Sequence, residues 1–213
     1  KIYGRNAEPA SVRAGPSRLE PVGGPHLVTE DTPLGDGCIL TPFGVSKMAA
    51  DLYVQQYSKL YDIDACCVRP GCFAGPGSLW TTFQNWMPPC IDAMIRGRPL
   101  DVFGFGGKQV RDVLHADDLA RAVLALVDAG LTWNGNVFNA CGGKGNDLSI
   151  LELVAMVKEI TGKHGDLVFH PAREGDWAFC VGDSSRLTAA TGWRPEISIR
   201  TTVEQLCEEA RRG

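Results

Sequence analysis

The strongest constraint on how this chain can fold is an alternation of segments that begins at Pro42. A proline fits the first turn of a helix, where its missing N–H has no partner to lose. Behind it Val45, Met48, Ala49, Leu52, Tyr53 and Leu60 recur at helical spacing, which predicts an amphipathic helix to about Tyr61. Asp64-Ala65-Cys66-Cys67-Val68-Arg69 then reads as a short, mostly apolar strand ended by Pro70-Gly71. A helix leading into a strand implies a parallel sheet with helical crossovers, so the fold class is α/β.

The remaining segments extend this pattern. Pro99 to Gly104 reads as a strand, and a second strand carries Gln109 and Arg111 on one face. That second strand runs into a helix whose start is rich in Asp, with Leu119, Ala122, Val123 and Leu126 behind. Asn136–Asn139 and Asp166–His170 are further short strands. Ser149-Ile150-Leu151-Glu152 is a capping box for a helix that runs to about Thr161 and is closed by Gly162. Residues 82–96 predict a helix that Pro88-Pro89 kinks or splits. Thr201-Thr202-Val203-Glu204 caps a final helix. Residues 5–40, punctuated by Pro9, Pro16, Pro21, Gly23, Gly24, Pro25, Pro33, Gly35 and Gly37, read as one long irregular loop.

Composition narrows the function classes. The 213 residues, 44% hydrophobic and 22% charged, suit one large domain or a domain and a half. A net charge of −4 without a basic, aromatic-laced stripe argues against nucleic acid. No run approaches the roughly 20 apolar residues of a membrane span, and the N-terminus lacks the shape of a signal peptide. Cys38, Cys66, Cys67, Cys72, Cys90, Cys141, Cys180 and Cys207 are scattered, with no Cys-x-x-Cys pair. That spacing suggests neither zinc nor a disulfide framework, but reduced thiols in a cytoplasmic protein.

Several polar residues stand where chemistry is possible. Phe43 and Lys47 lie one turn apart on the same side of the helix from Pro42. Arg69 to Pro76 is the loop after a strand, and ligands of open α/β sheets sit beyond the carboxyl ends of strands. Arg111 and Arg173 offer guanidinium groups that match phosphate oxygens, and Asp176 is a carboxylate that can accept from ribose hydroxyls. The residues alone leave open whether Arg111 instead pairs with a local carboxylate and whether Arg173 is simply a solvated loop residue. Lys1-Ile2-Tyr3-Gly4 looks like the end of a buried strand. Gly104-Phe105-Gly106 and Gly142-Gly143-Lys144-Gly145 both lack the third glycine of a dinucleotide-binding turn. A dinucleotide-binding first half is therefore expected outside these residues.

The order of these blocks resembles the second half of the NAD-dependent epimerase/dehydratase family, the extended short-chain dehydrogenase/reductases. The match runs from Tyr3-Gly4 through Phe43-Gly44-x-Ser46-Lys47, Arg69…Gly75-Pro76, Gly107-Lys108-Gln109-Val110-Arg111-Asp112-Val113-Leu114-His115 and Arg173-x-x-Asp176 to Trp193-x-Pro195. Within the family, Gly-Lys-Gln-Val-Arg-Asp-Val-Leu-His-Ala with Leu-Ser-Ile-Leu-Glu-Leu is most similar to the CDP-paratose (CDP-tyvelose) 2-epimerases. The resemblance implies the C-terminal part of a Rossmann-type parallel sheet over residues 1–75. Residues 76–213 would be mainly a smaller substrate domain, with some segments returning to the sheet.

Carried across by resemblance, Lys47 holds the nicotinamide ribose of NAD, and Pro70 to Cys72 border the nicotinamide and the sugar. Arg111 and Arg173 clamp the diphosphate of a nucleotide sugar, with Asp176 at the nucleoside ribose. The family's catalytic Ser/Thr falls two residues before Lys1. The implied chemistry is transient oxidation of a sugar carbon, C2 in the most similar subgroup, by a homodimeric enzyme; sister activities are 4-epimerisation and 4,6-dehydration. Phe43 stands where the family has its tyrosine base and has no ionisable group. Another residue, His115 or Cys72, would then act as base; or the protein binds nucleotide sugar without turnover; or position 43 is an altered one.

Overall fold

The structure, a computed structural model, describes residues 2–78, 85–130 and 132–212. Its first segment departs from the expected irregular loop. After a 3-10 turn at Arg5–Ala7, the strands β1 (Val12–Ala14) and β2 (Leu19–Pro21) form an antiparallel hairpin with Ala14 opposite Leu19. Strands of three residues carry too little periodicity to show in sequence, and this pair is ordered by distant partners. Arg18 bonds Asp147 at 2.7 Å and Glu152 at 2.8 Å, and the Leu19 amide donates to the Lys108 carbonyl at 2.8 Å.

The next elements are α1 (Pro42–Tyr61), β3 (Cys67–Pro70), β4 (Cys72–Ala74), α2 (Met87–Ile95) and β5 (Leu100–Phe103). They are followed by β6 (Val110–His115), α3 (Ala116–Asp128), β7 (Val137–Ala140), β8 (Asp147–Ser149) and α4 (Ile150–Thr161). The chain ends with β9 (Leu167–His170), β10 (Phe179–Cys180), α5 (Ser185–Thr191) and α6 (Ile199–Arg212). The α4 capping box is present in both directions, and Gly162 closes that helix in the left-handed region at φ 69°. Two expectations are corrected. Pro88 and Pro89 open α2 instead of breaking it, because first-turn prolines interrupt no i−4 bond; residues 82–84 of the expected helix lie outside the described residues. The last helix is capped by Ser198, whose hydroxyl accepts from the Thr201 amide at 3.0 Å, and not by Thr201.

The strands pair as an α/β Rossmann-type fold requires. β3 runs parallel to β7, β6 lies between the parallel strands β4 and β10, and β5 runs parallel to β9; β8 adds to β6 antiparallel. One core gathers Met87, Ile91 and Met94 of α2, Val102, Leu153 and Val157 of α4, and Val203 and Leu206 of α6, each essentially solvent-free. Each such side chain contributes roughly 1.5–3 kcal/mol through burial. A second core holds Leu114, Leu126, Phe138, Leu187 and Trp193.

The helix α1 behaves differently. Val45, Leu52, Tyr53 and Leu60, whose spacing predicts a covered stripe, are 44–71% exposed. All eight cysteines are free thiols. No described helix is long and apolar enough to cross a membrane, and the described residues contain no metal-ligand cluster.

Candidate functional site

The start of α1 is fixed locally. Thr41 caps it through Oγ1, which accepts the Gly44 amide at 3.1 Å, and Pro42 occupies its first turn. One turn then separates Phe43 from Lys47, and the Lys47 ammonium lies 5.3 Å from the centroid of the Phe43 ring. Both side chains are exposed, Phe43 at 59%.

Further along α1, Asp51 anchors the helix to the sheet. It accepts two bonds from Arg69 of β3, at 2.9 and 2.8 Å, both side chains being 7–8% exposed. Arg69 also donates to the Tyr3 hydroxyl at 3.1 Å, and that hydroxyl donates to Asn139 of β7. Arg69 thus opens the loop motif as a buried clamp joining α1, β3 and β7. Burial pushes the Tyr3 hydroxyl up to about 12 despite the Arg69 charge, so Tyr3 offers no base in place of Phe43.

At the end of β3 the chain exposes Pro70, crosses at Gly71, and enters β4 with Cys72 half-buried. Burial raises the Cys72 thiol, and the nearby Arg111 charge only partly opposes this. A thiol pushed upward is neutral at working pH and makes a poor proton acceptor. The other candidate base fares no better. His115 is 1% exposed and caps α3; its Nδ1 accepts from the Asp117 amide at 3.1 Å, and its Nε2 lies 2.8 Å from the Gln205 carbonyl oxygen. An accepting Nδ1 places the proton on Nε2, where it is donated to Gln205, so both ring nitrogens are engaged.

Arg111, on β6, pairs with no carboxylate among the described residues. Its guanidinium donates to the carbonyls of Val110 at 2.7 Å and Trp177 at 2.5 Å. Arg173 is exposed but ordered by stacking, its guanidinium carbon 3.8 Å from the centroid of Phe103. His170 stacks on the same ring at 4.7 Å and is held by Asp101 at 2.7 Å. The Asp176 amide donates to the Arg173 carbonyl at 3.1 Å, closing the turn that carries both residues.

One loop therefore brings together three of the seven expected site residues. It carries Arg173 and Asp176, and its Trp177 carbonyl holds Arg111. Gly175 of the same loop faces Ile39, where an added Cβ would stand 3.4 Å from the Ile39 carbonyl oxygen, just ahead of α1. Lys47 and Phe43 lie on that neighbouring helix, without direct contact to either arginine among the described residues. Sequence reasoning missed Phe103, the platform for Arg173. Its position as the last residue of an apolar strand, at the carboxyl end where ligands gather, is the signal that could have found it.

The sequence model of the NAD dependent epimerase/dehydratase family matches residues 19–141. A CDP-paratose 2-epimerase from Salmonella typhi is 28% identical over 211 residues, covering 97% of this chain and 61% of its own length. A UDP-glucose 4-epimerase from Mycolicibacterium smegmatis is 27% identical, covering 86% of this chain and 56% of its own length. Among solved structures, the UDP-glucuronic acid 4-epimerase from Bacillus cereus, in complex with UDP-glucuronic acid and NAD, superposes with a TM-score of 0.78. It is 26% identical over 89% of this chain and 57% of that one. A tyrosine-to-phenylalanine mutant of the same enzyme, in complex with UDP-4-deoxy-4-fluoro-glucuronic acid and NAD, has the same TM-score of 0.78, identity of 26% and coverage of 89% and 57%. The chain spans 56–61% of the length of these curated relatives. With a family match over more than half its length and a sheet that superposes on the solved enzymes, the chain belongs to the NAD dependent epimerase/dehydratase family.

Proposed function

We propose that this protein binds a UDP-sugar where the 173–177 loop meets the start of α1, and does not turn it over. Phe43 carries the second half of this reading. The helix, the lysine and the spacing of the family are present, but the residue facing Lys47 is a ring with no proton to give or take. Neither His115 nor Cys72 replaces it, since one is engaged at both nitrogens and the other has a raised thiol. The UDP class follows the 4-epimerase relatives, and the phenylalanine mutant of the Bacillus cereus enzyme holds both NAD and a UDP-sugar analogue.

The residues present fit one end of NAD. The Lys47 ammonium is exposed with no carboxylate paired to it among the described residues, and Pro70 is exposed at the carboxyl end of β3. Lys47 would hold the nicotinamide ribose, and Pro70 and Cys72 would border the ring. NAD would supply a reversible hydride acceptor there, which stays idle with no proton acceptor beside the sugar hydroxyl. The pyrophosphate has no glycine turn within these 213 residues. On the sugar-nucleotide side Arg111 and Arg173 would face the diphosphate and Asp176 the ribose. Residues 1–75 then belong to the cofactor domain and residues 76–213 mainly to the sugar domain. The exposed apolar row of α1 is assigned to a second copy of the protein, a homodimer contact that sedimentation of the chain tests.

Titration calorimetry with UDP-glucose and CDP-glucose, beside a turnover assay with NAD, tests the proposal. UDP-glucose should bind, Arg111→Ala should weaken it, and no epimer should form. Epimer formation by the wild-type chain would overturn the non-catalytic reading, and binding of neither nucleotide sugar would overturn the ligand. A second reading, 2-epimerisation of a CDP-sugar, draws on the Salmonella typhi enzyme, which aligns along 97% of this chain. Preference for CDP-glucose in the same titration would favour it.

A further inference from the structure

The carboxylate of Asp112 is buried with no cation paired to it among the described residues. It lies in β6, 3% exposed, and its partners are backbone amides: Gly143 donates to Oδ2 at 3.0 Å and Gly182 to Oδ1 at 3.3 Å. Gly71 comes close as well, since an added Cβ there would stand 3.2 Å from Oδ2. These glycines follow the carboxyl ends of β3, β7 and β10. A Cβ on Gly182 would meet the Cys141 sulfur at 2.2 Å, so glycine is required there by close approach.

The position of Gly71 gives this cluster its meaning. At Gly71 the chain leaves the β3–β7 sheet and enters the β4–β6 sheet. Asp112 belongs to the second sheet, rests against the crossing residue, and reaches the loop that follows β7 in the first. The β3–β7 side carries Pro70 and, through the Asp51–Arg69 clamp, α1 with Lys47. The other side carries Cys72 and Arg111.

We propose that Asp112 is a positioning residue whose ionised carboxylate holds these two sides in register, and thereby holds the two halves of the nucleotide-sugar site together. What it positions rests on the function proposed above; the pinning of the loops does not. A carboxylate accepts fully from both glycines, whereas a neutral carboxyl must turn one oxygen into a donor. Burial lifts Asp112 to about 6, against the opposing pull of the Gly143 and Gly182 amides. The titratable and charged groups around it come from each strand packed against β6 and from the loops beyond them. The Cys72 and Cys141 thiols are raised by burial, Cys180 lies beside Cys141, and Arg111 is next along β6. The Asp183 carboxylate accepts from the Ser185 amide at 2.6 Å, and Lys144 is exposed.

Nuclear magnetic resonance of the isotopically labelled chain, titrated between about pH 4.5 and 8, tests this directly. The Gly143 and Gly182 amide resonances should move together with a single midpoint near 6. Asp112→Asn should abolish both movements and speed exchange of both amides by about tenfold. UDP-glucose, whose diphosphate diester takes up no proton in this range, should bind more weakly below the midpoint in the wild type. It should bind with no pH dependence in Asp112→Asn. Independent or absent titration of the two amides, or unchanged exchange in the variant, would overturn the proposal. Should Asp112→Asn fail to fold, the wild-type titration and the Gly71→Ala variant, which crowds Oδ2, decide the question. Co-titrating amides in a chain that binds no UDP-glucose would remove the ligand assignment alone and still support the pin.

Discussion

Lys47 points its ammonium at the Phe43 ring, 5.3 Å from the centroid, one helical turn away. An exposed contact of this kind is worth about 0.5–1 kcal/mol. It keeps the lysine where a tyrosine would have faced it, but a ring quadrupole accepts no proton. On the reading proposed above, this is the place of an acid/base pair whose chemistry is missing.

Restoring the hydroxyl should show how much of that chemistry remains in the surroundings. In Phe43→Tyr the new phenol faces a cation, which favours its ionised form. Ultraviolet difference titration against the wild type should reveal one added group ionising about one unit below the ordinary value of about 10. Adding Lys47→Met should return it to ordinary. A phenol that titrates ordinarily with Lys47 intact would show that the lysine does not set up this position.

Removing the Arg111 guanidinium should affect binding more than folding. Its partners are two carbonyls, each able to take water in its place. Arg111→Ala should weaken UDP-glucose by at least about tenfold, near 1.4 kcal/mol, with only a small change in melting temperature. Unchanged affinity in calorimetry would take Arg111 out of the diphosphate assignment.

The Asp51–Arg69 pair sets a different kind of dependence. Both side chains are under 9% exposed, so removing the acid strands a buried guanidinium. Asp51→Ala should cost about 3–5 kcal/mol in urea unfolding. It should also loosen α1 on the sheet, visible as faster amide exchange across Pro42–Tyr61. A loss within about 1 kcal/mol would place the pair among ordinary surface ion pairs.

Arg18 should make the first hairpin sensitive to acid. Burial works against the Glu152 charge, but bonds from Arg18, the Ser149 amide and Ser17 hold its carboxyl below the usual range. A depressed folded value contributes stability that is complete above the unfolded value of 4.5 and is lost as pH falls through the folded one. Arg18→Met should cost about 1–2 kcal/mol at neutral pH, less than a fully buried pair because Arg18 is partly exposed. It should also flatten the acid limb of the unfolding midpoint against pH. An unchanged acid limb would mean that Arg18 does not set the Glu152 titration.

Much of the fold could be read from local pattern. The α4 capping box and its closing glycine, the helix from Pro42, and the strands around Val102, Arg111 and Phe138 depend on neighbours in sequence. The β1–β2 hairpin could not be read, because its order comes from residues 147 and 152. The role of Pro88-Pro89 turned on where α2 begins, which spacing alone leaves loose by a turn. At the site, charge type pointed to Arg111 and Arg173. Phe103 as a stacking platform, the hold of Gln205 on the His115 ring and the glycine amides on Asp112 each rest on a contact made across tens of residues. The uncovered row on α1 has the same periodicity as a core helix, so sequence alone could not separate the two.

The hairpin's anchorage also decides how a ligand could arrive. Arg18 grips two carboxylates and a carbonyl, Ser149 reaches the Ser17 carbonyl, and Lys108 holds that of Gly15. A segment fastened at so many points forms a rigid flank and would not swing aside as a gate. Admission and departure would then fall to the short stretch carrying Arg173, which stacks on the Phe103 ring.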